Sequence, residues 1–280
     1  MKTENRLAPA SHVAILEPSG QTLGSSVAEY RHTGTLFLFL ALRDFRLRYR
    51  HTSLGVVWAV LQPLLPMVIF AAVFSRLHFD LGGVPYPLFV LTGFAPWMFI
   101  ANSVTIASPT FVNNFEMINK IYFPRAVLPM AAVAALTIDG SVAVAATLAL
   151  SLWYGYVPVW SWLLIPMVGF AAVLVAMGAA VAAASLAAVL RDLKNAIPFL
   201  VQVWMYASPV LYPVQWIPGR LRNFAGLNPV TGVLEAFRSC LFGTAPDWNL
   251  LAQSGASIVI LIGVAVWLFH HLEGDLAENV

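Results

Sequence analysis

The sequence predicts an all-α polytopic membrane protein with six transmembrane helices, an N-terminal amphipathic interfacial helix, and re-entrant helices between spans five and six. Three observations predict it. Hydrophobic residues make up 60% of the 280 residues and charged ones only 10%, where a soluble protein carries about a quarter. The apolar residues fall in runs near the ~20 that a helix needs to cross hydrocarbon. The arginines and lysines gather beside those runs, with an excess in alternate loops.

Taken in order, residues 1–35 are polar and mixed, with Pro9, Pro18, Gly20 and Ser25, and read as a flexible cytoplasmic extension. No apolar core follows the first basic residues, so a cleavable signal is not expected. An interfacial helix is predicted over 36–52. At helical pitch Leu38, Leu42, Phe45 and Tyr49 share one face, and Arg43, Arg46, Arg48 and Arg50 point away from it toward headgroups. The plainer reading is a positive flank that only sets orientation.

Span one, 54–75, contains Pro63 and Pro66, which should kink it or open its backbone. Span two, 88–108, follows a Gly-Gly turn and Pro85-Tyr86-Pro87. Span three, 126–150, holds the one acid within a span, Asp139; it is a functional candidate unless it, Thr137 and Ser141 simply bond a neighbouring helix. Trp153 to Trp162 form an aromatic interfacial belt, and span four, 163–187, is rich in the Gly and Ala that suit close helix packing. Span five, 196–211, is short, and span six, 251–269, is the last. The region 213–243 is too apolar for a free loop and too broken for a span. Asn228-Pro229 starts a helix, Gly243 stops it, and Val230, Val233, Leu234, Phe237 and Leu241 form its apolar face, with Glu235 and Arg238 elsewhere. Two short helices that dip into the membrane and return are predicted there; the competing reading is an amphipathic surface loop.

With the N-terminus inside, Arg43, Arg46, Arg48, Arg50, Lys120, Arg125, Arg191 and Lys194 are cytoplasmic, against Arg76, Arg220, Arg222 and Arg238 outside. That excess predicts both termini in the cytoplasm. The formal net charge of +2 lies beside apolar runs, which points to lipid and not to nucleic acid. The single cysteine, Cys240, excludes an intrachain disulfide and reads as a packed small residue. His270-His271 reads as an interfacial pair, and no metal-ligand spacing or nucleophile elbow occurs. No glycine–lysine–serine/threonine phosphate loop is present, so the chain is not expected to hydrolyse nucleotide or bind a cofactor.

The segment between spans two and three carries the most specific signal. In Phe111–Met130, Asn113 or Asn114 caps a short helix whose apolar face is Phe115, Ile118 and Tyr122, Glu116 and Lys120 pair at four residues' spacing, and Pro124 and Arg125 return the chain to the membrane. Such an exposed cytoplasmic helix suits docking to a partner, or lying flat on lipid.

RDFRLRYRHTSLGVVWAVLQPL (43–64), NFEMINKIYFPRAVLP (114–129), SPVLYP (208–213) with the Asn-Pro helix after it, and the closing HHLEGDLAENV together resemble the permease subunits of polysaccharide-exporting ATP-binding-cassette transporters. The resemblance runs from about Arg43 to the C-terminus. It implies a homodimeric permease of the bacterial inner membrane with two cytoplasmic ATPase subunits that bind ATP and Mg2+. The cargo would be a lipid-linked polysaccharide, O-antigen first, then capsule or teichoic acid. It further implies that the helix carrying Phe115, Glu116, Ile118, Asn119, Lys120, Tyr122 and Phe123 is the ATPase-coupling helix. By the same resemblance Arg43 to Arg50 frame the interfacial entrance, and the short helices within Trp216–Phe242, with Asn228, Pro229, Glu235 and Arg238, form a periplasmic gate.

A sugar polymer needs a conduit of polar groups and aromatic faces, for which Trp58, Gln62, Phe94, Trp97, Asn102 and Tyr206 are candidates; taken one at a time, lipid-facing or interfacial packing is the simpler reading of each. An exporter of a small amphiphile or drug on the same fold is the alternative. A membrane-embedded transferase would need a catalytic acid or histidine cluster at one bilayer face, which the sequence lacks.

Overall fold

The computed structural model describes residues 23–50, 55, 57–74, 81–120, 123–157, 159–190 and 192–279, with side chains from 33 to 272 apart from that of residue 119. All regular structure among them is helical. In chain order the helices are α1 (Leu23–Tyr49), α2 (Val57–Phe74), α3 (Tyr86–Ala107), α4 (Thr110–Asn113), α5 (Phe115–Lys120), α6 (Val127–Trp153), α7 (Ile165–Val189), α8 (Leu193–Ala207), α9 (Gly219–Arg222), α10 (Pro229–Phe242) and α11 (Trp248–Asn279), with single 3-10 turns at Trp160–Leu164, Val214–Trp216 and Ala225–Leu227.

Five of these segments are long and apolar enough to cross a membrane: α2, α3, α6, Trp160–Val189 and Trp248–Leu272. They coincide with predicted spans one, two, three, four and six. Predicted span five is different: α8 has 15 residues, about 22 Å at helical rise, which falls short of the ~30 Å hydrocarbon layer. Pro198 lies inside it, and Ser208-Pro209 ends it. Pro63 and Pro66 also lie inside α2, which continues unbroken from Val57 to Phe74.

The helices pack so that two ends can be told apart. At one end Leu40, Phe111, Phe123, Val127, Val181 and Phe269 share a cluster, which gathers α1, α4, the start of α6 and the ends of α7 and α11. At the other end Trp162 Nε1 donates to the Leu241 carbonyl (3.1 Å) and Ser161 Oγ to that of Cys240 (2.7 Å). There Ser254 and Ser257, on the first turns of α11, donate to the Gly226 carbonyl. The starts of α7 and α11 and helix α10 are thereby joined. The chain leaves α7 at the first end, and α8 carries it to the second, where Trp204 Nε1 donates to Asn228 Oδ1 (3.0 Å).

One sequence expectation changes here and another is sharpened. Residues 23–35, expected as flexible extension, are the first turns of α1. No proline interrupts 23–49, so a helix anchored downstream propagates backward one bond per residue. The expected pair of short helices over 213–243 corresponds to α9, a single turn of four residues, and α10, separated from α8 and from each other by the 3-10 turns at Val214–Trp216 and Ala225–Leu227; Pro213, Pro218 and Gly219 (φ 22°) keep the first of them short. The boundaries of α10 follow the sequence: Asn228 accepts from the Val230 amide (3.2 Å), Pro229 takes the first position, and Gly243 ends the helix at φ 68°.

Close approach fixes one glycine. A Cβ at Gly93 would overlap the Val210 carbonyl oxygen and stand 3.0 Å from Arg238 Nη2. Gly93→Ala should therefore lower stability by about 1–3 kcal/mol. Gly169→Ala, where a Cβ meets nothing within 4 Å, should be neutral. Thermal unfolding in detergent checks both; equal midpoints for the two variants would refute the packing.

Candidate functional site

The first end of the bundle holds the residues expected to receive a partner. Asn114 stands between α4 and α5: its carbonyl accepts from the Met117 and Ile118 amides (3.0 and 3.1 Å), and its Nδ2 donates to the Thr110 carbonyl (2.8 Å). Helix α5 follows with Phe115, Glu116 and Lys120 exposed and Met117 half-buried, and Lys120 Nζ meets Glu116 Oε2 at 3.1 Å as the four-residue spacing required. Ile118 is half-buried against the Leu40–Phe111 cluster, and Phe123 is buried within it. The expected apolar face therefore divides: Phe115 faces out, and Ile118 and Phe123 anchor the helix to the bundle. Pro124 is exposed and Arg125 half-buried. Tyr122 lies outside the described residues, as does the side chain of Asn119.

The four arginines have separate fates. Arg46 and Arg50 are exposed with no ion-pair partner among the described residues. Arg43 pairs with the adjacent Asp44 at 2.9 Å and reaches Asn114 Oδ1 at 3.4 Å. Arg48 turns inward, and its Nη1 meets Asp139 Oδ2 at 2.8 Å, while the Tyr49 hydroxyl donates to Asp139 Oδ1. Burial, then the hydrogen bond to Asp139 and that carboxylate's charge, hold the Tyr49 hydroxyl well above its ordinary pKa, so it remains a donor. Asp139 thus bonds α1, whereas Thr137 and Ser141 donate to carbonyls of their own helix, Val133 and Thr137. The sequence singled out Asp139 but assigned Arg48 to headgroups. Leu40, Asp44 and Arg48 recur at four-residue spacing, which was the available sign that Arg48 lies on the buried side.

The expected conduit residues scatter. Trp58, Gln62 and Tyr206 are exposed; Asn102 is half-buried and donates to Gln62 Oε1 at 3.0 Å. Gln62, Asn102 and Asp139 line one small cavity between α2, α3 and α6. Phe94 and Trp97 are core residues instead: Phe94 packs on Phe70 and Trp97 stands edge-on to Trp204. Large aromatics on a helix buried over most of its circumference fill the protomer, and α3 is the most enclosed of the five long helices.

At the second end, Arg238 overturns its expected placement. It is 4% exposed, on the same face as Leu234 and Phe237, and four residues after Leu234 it belongs there. Its Nη1 donates to Glu235 Oε1 (3.0 Å) and the Pro209 carbonyl (2.9 Å), its Nη2 to the Val210 carbonyl (3.0 Å), and its Nε to Thr92 Oγ1 (3.4 Å). The guanidinium lies 3.9 Å from the centroid of the Phe89 ring. α10, α3 and the chain leaving α8 are tied by this one side chain. Trp216, by contrast, is exposed. Among the described residues no group of three or more His, Cys, Asp or Glu side chains is placed to hold a metal; His271 stacks on Trp267.

Replacing Arg238 with Met should leave the Pro209 and Val210 carbonyls and Glu235 without their buried donor, at a cost of about 3–5 kcal/mol. Glu235→Gln keeps an acceptor and should cost about 1 kcal/mol. Unfolding midpoints of the detergent-solubilised chain measure the difference, and a milder effect for Arg238→Met than for Glu235→Gln would contradict the arrangement.

Sequence comparisons agree with this architecture. The family described as ABC-2 type transporter matches residues 35–242, from within α1 to the end of α10. The O-antigen export system permease protein RfbA of Myxococcus xanthus is 26% identical over 255 residues, covering 90% of this chain and 97% of that protein. The protein of the same name from Klebsiella pneumoniae is 25% identical over 244 residues, 87% of this chain and 94% of its own. The polysialic acid transport protein KpsM of Escherichia coli is 24% identical, covering 81% of this chain and 90% of that protein. With the family match spanning both ends of the bundle, the chain belongs to the ABC-2 type transporter family, as a multi-pass membrane permease subunit and not a catalytic ATPase.

Proposed function

We propose that this chain is the membrane subunit of an ATP-driven exporter that moves a lipid-linked polysaccharide out of the cytoplasm, through a channel between two copies of itself. The observation that carries the reading is similarity along nearly the whole length of relatives named for O-antigen export, with a relative named for polysialic acid transport next. O-antigen is accordingly the first cargo and capsule the second. A small amphiphile is disfavoured, because the named cargoes of those relatives are sugar polymers.

In this reading the first end of the bundle faces the cytoplasm of a bacterial inner-membrane protein, with both termini on that side. The excess of basic residues in 43–50, 120–125 and 191–194 supports the orientation. Six crossings follow if α8 and the segment to Val214 together complete the fifth, since α8 runs between the two ends already described. Helix α5 is the site for an ATPase subunit, one per copy: its exposed Phe115 and the Glu116–Lys120 pair offer an apolar contact with a charged border. ATP and Mg2+ belong to that partner. Arg43, Arg46 and Arg50 frame the place where an anionic lipid carrier arrives, and Arg46 and Arg50 are the two with charge to offer it. Trp58, Gln62 and Tyr206, exposed on α2 and α8, line the conduit, with Asn102 behind Gln62. Helix α10 and the turns before it close the outer side as the gate.

The mechanism needs little chemistry in this chain. Closure of the ATPases on nucleotide displaces α5, the displacement passes to α6 across the short Phe123–Ala126 link, and the spacing of the two permease copies changes. The sugar chain advances through the opened interface.

Phe115→Asp should detach the ATPase partner, read as its loss from the co-purified complex and the loss of transport-coupled hydrolysis; retention of both would refute the docking site. Topology is open to cysteine labelling, because the one native thiol, Cys240, is buried. Arg220→Cys should react with a membrane-impermeant maleimide from outside and Lys194→Cys only after permeabilisation. The reverse pattern would invert the orientation.

A further inference from the structure

We infer that Asp139 is a positioning residue that makes α1, α5 and the first half of α6 a single mechanical unit, so that displacing the docking helix carries the entrance helix with it. The inference rests on the reading of α5 as the docking helix. A helix fixed at one point can pivot about it; fixed at two separated points it cannot, and α1 is fixed at both.

The first point is Leu40, 1% exposed, in the cluster that also contains Phe111, Phe123 and Val127 from either side of α5. The second is Asp139, which receives Arg48 at 2.8 Å and the Tyr49 hydroxyl. Leu40 shares its cluster with Val127, Leu128 and Ala131 at the start of α6, and Arg48, eight residues on, meets Asp139 further along that helix, so α1 and α6 run side by side in the same direction for about 12 Å. Between the two points Ala41 packs against the Leu40 cluster, and Arg43 reaches Asn114 Oδ1 at 3.4 Å, at the joint that begins α5. Leu42 and Leu47 face outward on the opposite side, while Asp44 and Phe45 are half-buried.

The Asp139 carboxylate is the acceptor that both Arg48 and Tyr49 meet from the last turn. Arg43, Arg46, Arg48 and Arg50 place four guanidinium groups within two turns, with Asp44 the only acid among them. Removing Asp139 leaves Arg48 half-buried beside like charges, and the favourable response is for the turn to swing toward water. The carboxylate itself sits midway along an apolar helix, where an acid is costly unless it is paired. Each partner therefore keeps the other in place, and the entrance arginines stay registered to α5.

Pulsed electron-electron distance measurement tests this on the full-length permease in nanodiscs, with Cys240 replaced by Ala and spin labels at Leu47→Cys and Glu116→Cys, diluted with unlabelled protein. The parent should give a narrow α1–α5 distance distribution, and Asp139→Asn a broad one. Arg48→Gln with Tyr49→Phe should also broaden it, and serves if Asp139→Asn does not fold. Exchanging the charges, Arg48→Asp with Asp139→Arg, should narrow it again. An unchanged width in the single variants, or a broad width that the exchange does not reverse, would overturn the inference. In the reconstituted complex, Asp139→Asn should keep hydrolysing ATP while cargo moved per ATP falls about tenfold, a coupling effect of ordinary size. A parental ratio in that variant would likewise overturn it. A parent permease that captures no ATPase would instead refute the docking reading, and the distance widths would decide the Asp139 joint alone.

Discussion

A guanidinium shut away from water has to satisfy its donors with fixed acceptors, and Arg238 does so by drawing three separate parts of the chain to one point. Glu235 comes from its own helix, the Pro209 and Val210 carbonyls from the chain leaving α8, and Thr92 with the Phe89 ring from α3. The Val210 carbonyl can come this close only because position 93 carries no Cβ. Much of the second end follows from that node. With α10 seated, its carbonyls at Cys240 and Leu241 receive Ser161 and Trp162, and the turn before it presents Gly226 to the serines of α11. The cost of desolvating the charge is offset only while every partner is present, so the arrangement is specific as well as strong.

The first end is organised differently, by a broad apolar cluster with a single ionic joint. Leu40, Phe111, Phe123 and Phe269 come from four stretches of chain and give the end its shape without directional bonds. Arg48, Tyr49 and Asp139 then set the last turn of α1 against α6. The two ends therefore differ physically. One is held by a charge that cannot be moved without breaking several bonds, the other by greasy contacts and one pair at moderate depth.

What covers the remaining surface follows from composition. Helix α2 is the least enclosed of the long helices, and α8 exposes Phe199, Leu200, Val203 and Tyr206. In a membrane protein such faces meet lipid or another helix. Both lie against α3, the most enclosed helix, so α3 forms the spine and α2 and α8 its flanks.

The sequence by itself determined the helical class, the placement of five long spans, the cap and stop of α10, and the Glu116–Lys120 pair. These depend on local matters: apolar run length, Asn-Pro before an apolar face, glycine at a positive φ, and four-residue spacing. Only the tertiary structure decided which side of a uniformly apolar helix faces inward, because a helix hydrophobic all round carries no stripe to read. Hence Phe94 and Trp97 proved to be core, while Trp58 and Tyr206 are exposed. It also decided the partners of charges. Arg48 and Asp139 are 91 residues apart, and Arg238 and Thr92 are 146 apart; nothing in local spacing brings them together. The short fifth helix and the single-turn length of α9 belong to the same class, since prolines mark where a helix stops but not how far the packed chain then travels.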